Sequence, residues 1–307
     1  MNEALIVAII VAVVTSATPI LIAALGELVV EKSGVLNLGV EGMMLIGAVT
    51  GFIVSVTTGV PALGALGGMA AAAAASLIFA YLTLTLTANQ VATGLALTIF
   101  GTGVSALAGA SFVGITTPVF GSIFPASLST DPFWRVLFGY SPIVYASFAL
   151  TFAVWWFLKH SRAGLVLRAV GESDSSAHSI GYPVLKVRYL AVLFGGTMAG
   201  LAGAYYSLVL TPMWAERLTA GRGWIAIALV VFASWRPGRL LLGAYLFGAV
   251  ITLELQAKAA GWSLLAPEFL TSLPYLATIL VLAVISGRSR TRSAAPACLG
   301  KPFRASA

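Results

Sequence analysis

The sequence predicts an all-α protein that crosses a membrane many times, and three observations lead there. Of its 307 residues 59% are hydrophobic and only 9% charged, whereas a soluble globular domain carries about 25% charged residues. The mean hydropathy is +1.00. Apolar runs of about 20 residues, long enough to span a bilayer as helix, recur along the chain. A helix satisfies every backbone amide internally, which the bilayer core demands.

Such runs occupy 4–25, 37–57, 61–86, 91–112, 141–158, 189–210, 238–257 and 268–286. A shorter run, 223–235, would cover about 20 Å as helix and follows Gly221, Arg222 and Gly223. It reads as a discontinuous span, and such spans point towards a transporter's substrate site; a tilted helix in a thinned bilayer is the alternative. The expectation is therefore about nine transmembrane helices, broken or short spans included. The first run lacks a basic leader, so it reads as a span rather than a signal peptide.

Charge sets the orientation. With the loop 159–188 and the C-terminal tail in the cytoplasm, the inside holds Lys32, Lys159, Arg162, Arg168, Lys186, Arg188, Arg236, Arg239, Arg288, Arg290, Arg292, Lys301 and Arg304. Only Arg135, Arg217, Arg222 and Lys258 remain outside. Basic loops stay inside, so the N-terminus is expected outside and the C-terminus in the cytoplasm. The net charge of +7 follows these loops and forms no aromatic-interleaved face, so no nucleic-acid partner is implied. Residues 1–287 form the permeation unit, and 288–307 read as a basic, disordered tail.

Residues 26–47 are the most informative stretch. Glu27, Glu31, Lys32, Asn37 and Glu41 interrupt near-continuous hydrocarbon, with Gly26, Gly34, Gly39, Gly42 and Gly47 among them. Charges facing lipid cost several kcal/mol unless paired or wetted. Irregular backbone at this depth survives only inside protein or beside a watery cavity. The stretch reads as a broken element beside a pathway for something polar. Gly47 and Gly51, Gly64 and Gly68, and Gly196 and Gly200 stand four apart and predict close helix packing. The long loop 113–140, with Pro118, Pro125 and Pro132 and with Pro142 beyond it, is external: a connector or a partner contact.

The candidate pathway residues are Asn37, Glu41, Asn89, Gln90 and Trp224, with Trp214 beside the second interrupted region. Each has a structural alternative. Glu41 either accepts from the solute or answers Lys32 or a helix-terminal N–H. Asn89 and Gln90 also suit capping and turn positions for the fourth span. Glu254 and Lys258, four apart, read as a helix ion pair.

The loop 159–188 is the largest inward element. Gly164 to Val170 could extend or pair. Glu172 to Ile180 reads as a short helix, capped by Glu172 or Ser173, with Asp174 in its first turn, Gly181 ending it and Pro183 preventing continuation. Such a helix can receive a push from a soluble partner; an inert linker is the other reading.

The order Arg168-Ala-Val-Gly-Glu172, seven residues, Ile180-Gly-Tyr-Pro183 resembles the coupling segment of the ATP-binding cassette (ABC) importer permeases that serve simple sugars, branched-chain amino acids and nucleosides. The stretch Glu31-Lys-Ser-Gly-Val-Leu-Asn-Leu-Gly-Val-Glu-Gly-Met-Met-Leu-Ile-Gly-Ala48 is similar to the signature of the nucleoside (guanosine-type) branch. Ribose-type relatives carry a Gly-Ile-Asp-Leu-Ser-type stretch there and one more N-terminal span. The resemblance runs from about residue 15 to 287, and the tail Ala297-Cys-Leu-Gly-Lys-Pro-Phe303 also resembles that branch. His178 and Ser179 depart from the more apolar or basic pair of relatives.

The resemblance implies a second permease subunit, two cytoplasmic ATPase subunits and an extracellular binding protein as partners. It assigns Gly171, Glu172, Asp174, Ala177, Ile180 and Gly181 to the helix that meets the ATPase. It implies ATP-driven alternating access for a small polar solute, a purine or other nucleoside first, with a simple sugar as the alternative. A nucleoside needs hydrogen-bonding amides and aromatic surface rather than a charged clamp. A self-sufficient secondary transporter is the rival class, and a membrane scaffold a more distant one.

No Gly-x-x-x-x-Gly-Lys-Ser/Thr phosphate loop occurs, because the one Gly-Lys pair, Gly300-Lys301, precedes proline. No nucleophile elbow or His-Glu-x-x-His motif occurs either. The two histidines share one loop and the single cysteine, Cys298, lies in the tail. No catalytic residue, metal site or cofactor is expected.

Overall fold

The computed structural model describes residues 3–125, 131–259 and 295–304, with positions 272, 273, 276 and 279 besides. Among these residues the regular elements are helices: α1 Glu3–Lys32, α2 Val40–Thr58, α3 Pro61–Ala80, α4 Gln90–Gly109, α5 Pro132–Phe138, α6 Pro142–His160, α7 Arg162–Glu172, α8 Asp174–Ser179, α9 Val184–Tyr205, α10 Arg222–Phe232 and α11 Pro237–Ala259. Seven of them, α1, α2, α3, α4, α6, α9 and α11, are long and apolar enough to cross a membrane. α10 has 11 residues, about 16 Å of helix, and cannot cross alone. The expected last span, 268–286, lies outside the described residues.

Local chemistry places most boundaries. Pro61, Pro142 and Pro237 each start a helix, where the missing N–H costs nothing. Asn89, Ser161 and Ser173 cap α4, α7 and α8 with side-chain oxygens. Gly221, at φ 79°, turns the chain into α10. α3 and α9 both finish in a wide π turn, over Tyr81–Thr85 and Tyr206–Leu210.

α2, α3 and α9 form the tightly packed centre, with α1 lying between α9 and α11. The paired glycines let backbone meet backbone. A Cβ built on Gly47 would stand 2.5 Å from the Gly200 Cα, and one on Gly68 2.5 Å from the Gly47 carbonyl. With hydrocarbon on every side, association rests on such close van der Waals approach rather than on expelling water.

Several expectations need correction. The break in the first half is confined to 33–39: Gly26 to Lys32 continue α1, because buried side-chain partners satisfy the Glu27 and Glu31 carboxylates in part. Residues 164–170 are helical, not extended, since the Ser161 hydroxyl accepts from Gly164 N at 2.9 Å and starts α7. Glu172 closes α7, and α8 begins only after Ser173. The tail, expected to be disordered, follows a defined path over 295–304. Cys298 N donates to the Gly171 carbonyl at 2.9 Å and Gly300 N to the Gly34 carbonyl at 3.1 Å.

Candidate functional site: two broken helices and a buried arginine hub

The two interrupted regions meet at one carboxylate. Glu41, in the first turn of α2, is 5% exposed. Its Oε1 accepts from the Thr219 hydroxyl at 2.5 Å and from Gly221 N at 2.8 Å, and its Oε2 accepts from Gly223 N at 2.6 Å. The partner is thus the N-terminus of α10, whose dipole and free N–H groups favour an anion. Gly223 is pressed against Glu41, because any Cβ there would stand 2.7 Å from Oε2. Of the alternatives for Glu41, neither Lys32 nor its own helix holds the carboxylate.

The segment 33–39 is held by side chains from α1, α2 and α4. Asn37, wholly buried, accepts from Gly39 N at 3.0 Å, donates to Glu27 Oε1 at 3.0 Å and approaches Met43 Sδ at 3.6 Å. Gln90 Oε1 accepts from Leu36 N at 2.8 Å, and the Thr98 hydroxyl donates to the Leu38 carbonyl at 3.1 Å. Glu31 Oε2 accepts from the Trp235 indole N–H at 2.6 Å.

Of the pathway candidates, then, Asn37, Glu41 and Gln90 converge on the broken elements as braces. Asn89 stands apart, capping α4 through an acceptor bond from Ala92 N at 3.0 Å. Trp224, in the first turn of α10, is 48% exposed. Trp214 is buried instead, in a small cluster with Ala48, Val49 and Phe52.

The second feature is a hub below the bundle. Arg188, at the start of α9, has no exposed surface. It donates from Nε to the Ser33 carbonyl at 3.1 Å, from Nη1 to the Lys301 carbonyl at 3.4 Å and from Nη2 to Asp174 Oδ2 at 3.0 Å. One guanidinium therefore joins the broken element, the tail and α8. Ala177 packs with Val170, Val184 and Phe303, and Gly171 backs onto the Lys32 carbonyl. The Glu172 carbonyl accepts from Cys298 Sγ at 3.6 Å. Ile180, 72% exposed, and Gly181, at φ 90°, face outward. The predicted coupling residues split into an inner seat (Gly171, the Glu172 carbonyl, Asp174, Ala177) and an outer rim (Ile180, Gly181).

Sequence reasoning missed Thr219, and it counted Arg188 only as one more inside cation. The signals were thin. Thr219 stands two residues before the Gly221-Arg222-Gly223 break, and Arg188 is flanked by Val187 and Tyr189 at the head of an apolar run. Among the described residues no group of three His, Cys, Asp or Glu side chains could hold a metal ion.

Comparison with known proteins assigns this architecture. Residues 9–286 match the family described as the permease component of the branched-chain amino acid transport system. The chain is 40% identical to a protein named "Putative glucose ABC transporter permease protein" in Haloferax volcanii, over 94% of each chain. It is 32% identical to a guanosine ABC transporter permease protein of Bacillus subtilis, over 94% of this chain and 93% of that one. It is 29% identical to a nucleoside ABC transporter permease protein of Lactococcus lactis, over 89% and 90% of the two chains. With seven apolar helices of spanning length around two broken elements, the chain belongs to this permease family, as a multi-pass plasma-membrane subunit of an ABC importer.

Proposed function

We propose that the chain translocates a neutral, hydroxyl-bearing solute, a purine or other nucleoside in the first reading, by alternating access driven by partner ATPases. The observation that carries this is the state of Glu41. Both of its oxygens are taken up by Thr219, Gly221 and Gly223. Glu27 and Glu31 are sealed at 0% and 1% exposure. The broken elements therefore present no spare carboxylate to clamp a zwitterion. The guanosine and nucleoside permeases among the relatives support the nucleoside. A hexose is the second reading, favoured by the Haloferax relative at 40% identity.

In this mechanism the outer rim of α8, Ile180 and Gly181, sits against an ATPase subunit. Closure of the ATPases displaces α8, and the Asp174–Arg188 pair carries the displacement to Ser33 and the 33–39 segment. The Glu41 clasp then moves α2 and the start of α10 together, with Trp224 at the edge of the path and Asn37, Asn89 and Gln90 holding its frame. With the basic loops in the cytoplasm, α8 lies on the ATPase side. An external binding protein and a second permease subunit complete the importer.

The test is uptake of labelled guanosine and labelled glucose by cells with and without the chain, in a background lacking other routes for both. Chain-dependent, energy-dependent guanosine uptake that excess glucose does not inhibit supports the first reading. Chain-dependent uptake of glucose alone transfers the assignment to the second.

A further inference from the structure

Five cations wall one cavity on the basic side of the bundle. Lys32 from the end of α1, Lys159 from the end of α6, Arg168 from α7, and Arg236 and Arg239 from the turn into α11 surround a space of about 640 Å³, with Trp155, Leu158, Trp235 and Pro237 between them. Loop charge bias alone spreads cations over a face; it does not bring five of them from four elements around one hollow.

Among the described residues the acids nearby engage Lys32 and leave the other four cations without an ion pair. Glu31 lies behind Trp235 with Oε2 bound to the indole. Glu172 and Glu31 attract Lys32, but Arg168 and Arg236 repel it. The ion pairs among the described residues are Arg188–Asp174 and Lys258–Glu254, so Lys159, Arg168, Arg236 and Arg239 are in none. Arg168 Nε is moreover buried without a hydrogen-bond partner. Repelling cations and a buried unmet donor describe a site that an anion with several oxygens would complete.

The rim says which anion. The Lys159 ammonium lies 5.3 Å from the Trp155 ring centroid and the Lys32 ammonium 5.9 Å from that of Trp235. Indoles at span ends mark the headgroup level of a bilayer, and basic pockets between spans on this side suit anionic headgroups. We propose that this cavity binds the phosphate of an anionic phospholipid, with the headgroup between Arg168, Arg236 and Arg239. Its occupant ties α7, which leads into α8, to the turn joining α10 and α11.

The test uses the purified full chain in detergent, with phosphatidylglycerol, phosphatidylcholine and soluble pyrophosphate as probes. Native mass spectrometry reads bound lipid and thermal unfolding reads stabilisation. The triple variant R168Q/R236Q/R239Q is compared with R162Q/K186Q/R304Q, which removes as many charges outside the cavity. The expected result is a phosphatidylglycerol adduct on the wild type and the control, weakened on the order of a hundredfold in the cavity variant, with phosphatidylcholine failing to replace it. Equal retention by the cavity variant overturns the site. Stabilisation by pyrophosphate without any by phosphatidylglycerol overturns the lipid and leaves a soluble phosphate site. Should the triple variant not accumulate, R239Q alone, at an exposed position, is expected to weaken the adduct about fivefold, and no weakening again overturns the site.

Discussion

Arg188 and Asp174 form an ion pair of 3.0 Å in which the arginine side chain is wholly buried and the aspartate 18% exposed. Two backbone carbonyls, of Ser33 and Lys301, accept from its Nε and Nη1. Planar, five-donor geometry makes this arrangement specific to arginine. Removing it strands three acceptors, and hydrogen bonds to a charged group contribute about 1.5–3 kcal/mol each.

Arg188→Lys is therefore expected to leave a folded permease with weakened transmission, and Arg188→Met a stronger loss. In membranes containing the partner ATPases, solute transported per ATP hydrolysed should fall about tenfold for the lysine variant. Unchanged transport per ATP would remove Arg188 from the coupling route.

Glu41→Gln separates brace from binder. A neutral amide keeps one acceptor oxygen where the carboxylate uses two, so at least one of the Gly221 and Gly223 N–H bonds is lost at the start of α10. The expected cost is about 2–3 kcal/mol, read as a lower unfolding temperature in detergent. A variant of undiminished stability but raised KM for solute would instead make Glu41 a direct solute ligand.

The outer rim of α8 is expected to act without contributing to folding. Ile180→Asp at a side chain 72% exposed should shift stability by no more than about 0.5 kcal/mol. Co-purification of the ATPase with the chain should nonetheless be lost. Retained co-purification would move the docking surface away from Ile180.

Phe303 packs against the cluster of Val170, Ala177 and Val184, with its ring centroid 5.5 Å from that of His178. Phe303→Ala should loosen α8. Hydrogen exchange over 174–179 is expected to quicken about tenfold, matching roughly 1.4 kcal/mol, while α2 and α9 keep their protection.

Glycine contacts provide a paired test. Gly47→Ala sets a methyl 2.5 Å from the Gly200 Cα, whereas Gly103→Ala meets nothing within 4 Å. The first should cost about 1–3 kcal/mol by overpacking and lower the yield of folded protein. The second should be neutral to slightly stabilising in a helix.

What was legible in the sequence was local. Hydrocarbon length placed seven spans, and Asn89, Ser173 and Gly181 marked caps and stops, because those signals act within one turn of helix. The α7 reading failed because Val166 and Val170 with Gly164 suggest extension, while the decisive contact, Gly164 against the Phe157 carbonyl, comes from the preceding helix. Glu41 was legible as a buried acid, but not its partner 178 residues away. For Arg188, composition gave only a sign of charge; its three acceptors lie in segments that meet only when the fold closes. The tail looked unstructured because its anchors are backbone amides, of Cys298 and Gly300, which no side-chain pattern announces.

The clasp at Glu41 also bears on how the chain is made. Its last amide partner, Gly223, follows it by 182 residues. At about 5–20 residues per second the ribosome needs roughly ten to forty seconds to supply it. During that interval α2 has been synthesised with an acid whose permanent donors do not yet exist. The nascent N-terminal half must lend that acid temporary donors or keep it near water at the insertion machinery. Final seating of α2 in the bilayer then waits for translation of the second half, and assembly order follows from a single carboxylate.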